Sequence, residues 1–205
     1  VTVNGGTLRI AGSLDSSGLL NAENGTIELV GVTQQAIPSN AFKNKTVRNF
    51  RLNNNSGASL SDTLKITDTY FPTSGKLTTN NKLVLKSDTT RTARIAQGSG
   101  SGNYIDGNVT VERYIPGRRA FRFLSHPFGN SIALEQLMDD IDITGNGGTT
   151  NGFTSVPVNA PSAFWFDQFS ADNSTYGNNP GWKDFANVYA AYWDKYEMAR
   201  IFIRG

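Results

Sequence analysis

Short runs in which apolar and polar residues alternate dominate the first hundred positions: Leu8 and Ile10, Ile27 and Leu29, Leu64 and Ile66, Leu83 and Leu85. Period-two alternation predicts half-buried strands, one face inward and the other in water. Singly spaced anchors, Phe42, Val47, Phe50, Leu52 and Leu60, fill the interval between the second and third runs. Between the runs lie Gly5-Gly6, Ser17-Gly18, Asn24-Gly25, Asn53-Asn54-Asn55, Ser74-Gly75 and Asn80-Asn81. Such residues accept the tight and left-handed bends of corners. No helical 3.6-residue pattern occurs there.

Two stretches are alike at a spacing of 56 residues: Thr7-Leu8-Arg9-Ile10 and Thr63-Leu64-Lys65-Ile66, each followed by a Ser-Gly pair and a further alternating run. Self-similarity built from strands and turns is the mark of a stacked repeat. A parallel β-solenoid and an antiparallel sandwich both fit. Strand recurrence at roughly 18–20 residues, about one coil, favours the solenoid, with the 56-residue repeat as about three coils. Asn53-Asn54-Asn55 fits either a stacked corner ladder or a solvated turn.

The pattern changes at Gly107. Val109 to Ile115 alternates, Pro116-Gly117 turns, and Ala120 to Leu124 alternates again, which predicts a β-hairpin opening a second domain. Leu134, Leu137, Met138 and Ile141 then fall at helical spacing, with Asn130 or Ser131 as cap. Glycine- and asparagine-rich loops flank Ala163 to Asp167, Phe185 to Met198 is ambiguous between strand and helix, and a strand closes near Ile201. The expected architecture is all-β: a solenoid over 1–106, then an antiparallel sandwich-like domain with one short helix over 107–205. The strand patterns running into both ends suggest a piece of a longer protein.

Composition changes this picture little. Apolar residues make up 38% and aromatics 11% of 205 residues, enough for a real core. A formal net charge of +2, from 19 basic and 17 acidic residues, supplies no polyanion-binding field, so nucleic acid is not expected as a partner. Cysteine is absent, which removes disulfides and thiolate chemistry. No run has the length of a membrane span.

Ser74-Gly75-Lys76-Leu77-Thr78-Thr79 with Leu83-Val84-Leu85, then Gly107 to Ile115, then Phe121-Arg122-Phe123-Leu124-Ser125-His126-Pro127, together resemble the repeat-plus-sandwich regions of large secreted surface proteins of Bacteroidota. Relatives often carry tryptophan where Phe121 stands. In that family such regions lie upstream of a sorting domain read by the type IX secretion system. The resemblance implies an extracellular or surface-anchored, multidomain, adhesive or fibre-forming protein.

Candidate chemistry is sparse. His126, the single histidine, would need Ser125 or Ser131 and a carboxylate such as Asp139 to form a triad; a backbone-bonded histidine at a strand end is the simpler reading. Asp15, Glu23, Glu28, Asp62, Asp68, Asp88 and Asp106 are spread singly over the repeats, without the pair a polysaccharide lyase or hydrolase requires. Asp139, Asp140 and Asp142, and Asp167 with Asp172 to Ser174, offer oxygen ligands for structural calcium; no other cofactor is expected. Aromatics crowd the last third, where rings fill a core or stack on sugar faces. Trp182, Tyr176 and Trp165 form the candidate carbohydrate site, with Trp182 as the exposed ring. The reading is non-enzymatic: a rigid scaffold or adhesin able to assemble end to end, its partners neighbouring domains, further copies and surface glycans. A carbohydrate-binding module is the alternative, and a polysaccharide-acting enzyme the third.

Overall fold

A computed structural model of the chain describes residues 1–15, 17–99, 102–155, 160–169, 181–190 and 192–204. The chain divides into two compact units, Val1–Ile115 and Pro116–Gly205.

The first unit is a parallel β-solenoid of about four turns. Its wide sheet is built from β1 (Thr2–Ile10), β2 (Leu20–Leu29), β4 (Phe42–Asn53), β6 (Leu64–Ser74), β8 (Leu83–Leu85) and β11 (Val109–Val111), with β9 (Arg94–Ile95) also paired to β6. A narrow second sheet carries β3 (Gln35–Ile37), β5 (Ala58–Leu60), β7 (Leu77–Thr78) and β10 (Ile105–Asp106). Every pairing in both sheets is parallel, so like positions stack: Leu8 on Ile27, Ile27 on Phe50, Phe50 on Tyr70, Tyr70 on Ile95. The middle three are fully buried, whereas Ile95 is 42% exposed at the end of the column. Inward residues of both sheets, among them Leu52, Leu60, Ile66 and Leu77, form one apolar cluster. Burying such side chains at about 25 cal/mol per Å² is the main stabilising term.

Tyr70 lies in this column with its ring stacked on Phe50, centroids 5.9 Å apart. Its hydroxyl is buried without a hydrogen-bond partner, and burial pushes the phenol's pKa up. A buried hydroxyl with no partner costs about 1–3 kcal/mol. Tyr70→Phe is therefore expected to raise stability by about 1 kcal/mol in urea unfolding; a loss of that size would contradict the assignment.

The corners are held by side-chain amides. Gln35, buried beneath a bend, donates from Nε2 to the carbonyls of Ile10 (3.0 Å) and Gly12 (2.7 Å). Its Oε1 accepts from Gly31 N–H and from Asn54 Nδ2, both at 3.0 Å. Asn54 donates again to Thr33 O at 2.8 Å. Asn53 donates to Glu28 (3.3 Å) and accepts from Ser74 Oγ (3.2 Å). Of the two roles open to this asparagine run, Asn53 and Asn54 take the inter-coil ladder. Asn80 and Asn81 adopt left-handed backbone, φ 49° and 61°, as a corner demands.

The register differs from the 56-residue repeat. Thr7–Ile10 stacks on Thr26–Leu29 and so belongs to the second half of its long strand, whereas Leu64–Ile66 lies in the first half of β6, opposite Leu83–Leu85. An inward-outward motif such as Thr-Leu-Lys-Ile suits any straight stretch of a coil, so likeness in sequence does not mark like positions.

In the second unit β12 (Ala120–Leu124), β13 (Ala163–Phe166), β14 (Trp182–Asp184) and β15 (Ala199–Ile203) form an antiparallel sheet in the order β12-β15-β13-β14. Three expectations are corrected. The hairpin over Val109 to Leu124 does not form: β11 pairs in parallel with β8 inside the solenoid, and β12 pairs with β15. The boundary expected after residue 106 accordingly falls between Ile115 and Pro116. The helix is a single 3-10 turn, Leu134–Leu137, with Ala133 as its uncapped N-cap. Ser131 is diverted, its hydroxyl donating to the Asp194 carboxylate, and Ile132 bridges to Trp193. Among the described residues Phe185 to Met198 is neither strand nor helix, only turns, bends and that bridge.

Candidate functional site

Strand alternation sorts the antiparallel sheet into two faces. Ala163, Ala199, Ile201 and Ile203 point to a buried side. Phe121, Phe123, Phe164, Phe166, Trp182, Arg200, Phe202 and Asp184 take the other, as the cross-strand pairs Phe121 with Phe202, Phe123 and Phe164 with Arg200, Phe164 with Asp184, and Phe166 with Trp182 require. Phe121, Phe123 and Phe166 are 38%, 58% and 48% exposed. This is an aromatic surface, and antiparallel sheets can leave one face open to water.

Arg200 sits among the rings. Its guanidinium lies 4.0 Å from the Phe121 centroid, 5.7 Å from Trp182 and 5.9 Å from Phe164. Arg119 and Arg204 each approach Phe202 at 5.9 Å. Trp182 reaches across the sheet to Phe123 (5.9 Å) and packs edge-on against Phe166 (5.2 Å). Asp184, also on this face, accepts from Asn146 Nδ2 at 2.8 Å.

Of the three residues singled out for sugar binding, Trp182 occupies this face, half-buried by Phe123 and Phe166. Trp165 opposes Lys183 on the reverse face, so the two tryptophans do not share a platform. Tyr176 lies outside the described residues. Sequence alternation showed Phe121 with Phe123, and Phe164 with Phe166, on common faces. It did not show that β15 would place Arg200 between them.

The other candidates disperse. His126 is backbone-bonded: Nδ1 accepts from Phe128 N–H (3.3 Å), which leaves Nε2 to donate to Trp193 O at 3.0 Å. Ser131 bonds Asp194, not His126. On the solenoid, carboxylates pair with cations of neighbouring coils: Glu28 with Arg9 (3.2 Å), Glu23 with Lys43 (3.6 Å), Asp62 with Lys45 (2.9 Å), Asp68 with Arg48 (3.1 Å). No group of three or more metal-type ligands converges among the described residues; of the second calcium candidate, Asp172 to Ser174 lie outside them. A concavity of about 350 Å³ at the Asn53–Ser56 corner is lined mainly by short polar side chains.

These ion pairs predict an acid limit. Glu23 is held below its ordinary pKa mainly by the Asn44 amide, Asp62 by Lys45 and the Thr63 N–H, and Asp88 by the Thr90 hydroxyl and backbone. A carboxyl whose pKa is depressed on folding stabilises the fold above its unfolded pKa, and that contribution is lost as pH falls through the folded value. The melting temperature is therefore expected to hold constant above about pH 4.5 and to fall below it. Asp62→Asn should flatten the decline, and an unchanged Tm down to pH 2.5 would contradict the pairing.

No helix among the described residues is long and apolar enough to cross a membrane. No protein-family model, curated protein or solved structure matches the chain.

Proposed function

We propose that the chain is a structural and adhesive segment of a large secreted or cell-surface protein: a rigid scaffold that holds neighbouring modules apart and is able to stack end to end. The observation that carries this reading is the coil-on-coil construction. Each turn of the solenoid is tied to the next by parallel backbone bonds, an unbroken apolar column, corner amides and outward ion pairs. Surface ion pairs of this kind contribute little stability singly, about 0–1 kcal/mol each, yet between coils they favour one register. The reading is non-enzymatic, supported by carboxylates that are spent on inter-coil cations instead of converging in a groove. Secretion and surface location rest on the resemblance to Bacteroidota surface proteins.

Copies of this 205-residue chain would stack through β1, which pairs with β2 and with no other strand among the described residues. Open strand edges recruit strands, and a lysine on such an edge blocks this. Sedimentation velocity should show a sedimentation coefficient that rises with concentration, and Gly6→Lys, at an open position with nothing within 4 Å, should suppress the rise. A wild-type chain that stays monomeric throughout would remove self-assembly from the function.

The second reading, carbohydrate binding, is favoured by one observation: the aromatic face around Arg200.

A further inference from the structure

We propose that the chain carries a processing site: the Arg118–Arg119 bond is a substrate for an arginine-directed endopeptidase, an enzyme whose specificity pocket holds a carboxylate. This goes beyond the scaffold reading, because a cut there severs the solenoid from the unit that follows it in the chain.

The sequence crowds Arg113, Arg118 and Arg119 into one short segment, and Arg118-Arg119 is the one place where two basic residues adjoin. Residues 112–119 belong to no strand or helix, and Pro116, Gly117, Arg118 and Arg119 are all exposed. Pro116 has no N–H, and the backbone of Gly117 and Arg118 makes no hydrogen bond among the described residues. Endopeptidases grip an extended substrate through its main-chain groups, so a segment whose groups are already free is cut without unfolding what surrounds it. On either side the chain is committed to sheets, β11 with β8 before the segment and β12 with β15 after it.

The bond is selected by what each arginine touches. Arg118 has no hydrogen bond, ion pair or ring contact among the described residues, so an acidic pocket can take its guanidinium without displacing anything. Arg119 lies 5.9 Å from the Phe202 ring, and the residues after it, Ala120 and Phe121, pair with Ile203 and Phe202. Recognition of Arg119 would therefore draw β12 from its sheet. The bond after Arg113 has its N–H tied to Ser87 Oγ at 2.9 Å. Arg91 and Lys195, also exposed, sit in closed turns: Asp88 N–H donates to Arg91 O at 2.9 Å, and Glu197 N–H to Asp194 O at 3.1 Å. Every lysine and arginine of the chain lies among the described residues, so the comparison covers all sites open to such an enzyme. The step is a hydrolysis: the amide C–N bond breaks, water supplies hydroxyl to the Arg118 carbonyl carbon and a proton to the Arg119 nitrogen, and a carboxylate and an ammonium remain.

The test is brief digestion of the whole folded chain with trypsin, read by intact-mass spectrometry, with a lysine-directed endopeptidase as comparator. Fragments 1–118 and 119–205 are expected first and together under trypsin, while the comparator leaves the chain whole over the same period. Arg118→Gln should slow the appearance of the fragments about tenfold or more, and Arg119→Gln by less than about threefold. Both side chains are exposed, so circular dichroism and Tm should stay at wild-type values. A first cut at any other basic residue, equal digestion by the lysine-directed enzyme, or Arg118→Gln cut at the wild-type rate would overturn the proposal. So would a folded chain that resists trypsin for as long as the urea-unfolded chain takes to disappear. These outcomes are independent of end-to-end assembly, which the Gly6→Lys variant tests.

Discussion

Gly75→Ala is expected to destabilise the solenoid by about 4–5 kcal/mol, at the upper end of single-substitution effects. Gly75 has φ +78°, a left-handed conformation that alanine adopts only under strain. Space is the larger obstacle: an added Cβ would stand 1.8 Å from the carbonyl oxygen of Asn54 and 3.0 Å from the amide nitrogen of Gly57. Both contacts are backbone and cannot rotate away. The Asn54 carbonyl already accepts from Gly57 N–H at 2.8 Å, and Asn54 N–H donates to Ser74 O at 3.3 Å. Moving this corner also displaces the Asn54 side chain from Gln35, whose four hydrogen bonds tie three successive bends. Gly18→Ala, where nothing lies within 4 Å, should change stability by less than about 0.5 kcal/mol. Thermal and urea unfolding of the two variants together check the claim; equal midpoints would contradict the corner geometry.

Phe50→Ala is expected to cost about 3–5 kcal/mol. The ring is fully buried at the middle of the inward column, between Ile27 and Tyr70, so its loss leaves a cavity walled by strands that pair on both sides. Such strands cannot collapse inward without breaking the parallel ladder, and the cost of a cavity depends on how far its walls relax. Position along the stack matters too. Each coil rests only on its neighbours, so a defect in the middle uncouples the two ends, and unfolding should lose cooperativity. Ile95→Ala, at the half-exposed end of the same column, should cost about 1 kcal/mol or less. A urea series that placed both variants at one midpoint would refute the column.

The solenoid was legible because inward and outward positions alternate and corner residues recur at coil spacing. Its register was not. Asn44 and Lys45 in β4 take left-handed φ of 53° and 57°, which inserts a bulge and shifts the inward set from Phe42 to Val47, Phe50 and Leu52. A strand of twelve residues thus reads in sequence as isolated anchors. The false hairpin has a related cause. Alternation on both sides of Pro116 and Gly117 signals two strands and a turn, but each strand found a better partner far along the chain, Val109 against Leu83 and Ala120 against Ile203. The candidate site shows the same limit. Trp182, expected as an exposed ring, lies among Phe123, Phe166 and Arg200, which come from three other strands whose order no local pattern encodes.

The scaffold consists of coils stacked in parallel register, and the absence of native cysteine makes that register directly measurable. Lys65 on β6 and Val84 on β8 are paired across adjacent coils, on the outward side. Paired strands bring such positions within the 4.4–6.8 Å Cα separation that a disulfide requires. Under mild oxidation the double variant Lys65→Cys, Val84→Cys should form an intramolecular disulfide nearly completely with the fold retained, whereas Lys65→Cys, Lys86→Cys, out of register by two residues, should not. A failure of the first pair to close, or equal closure of both, would contradict the stacked scaffold.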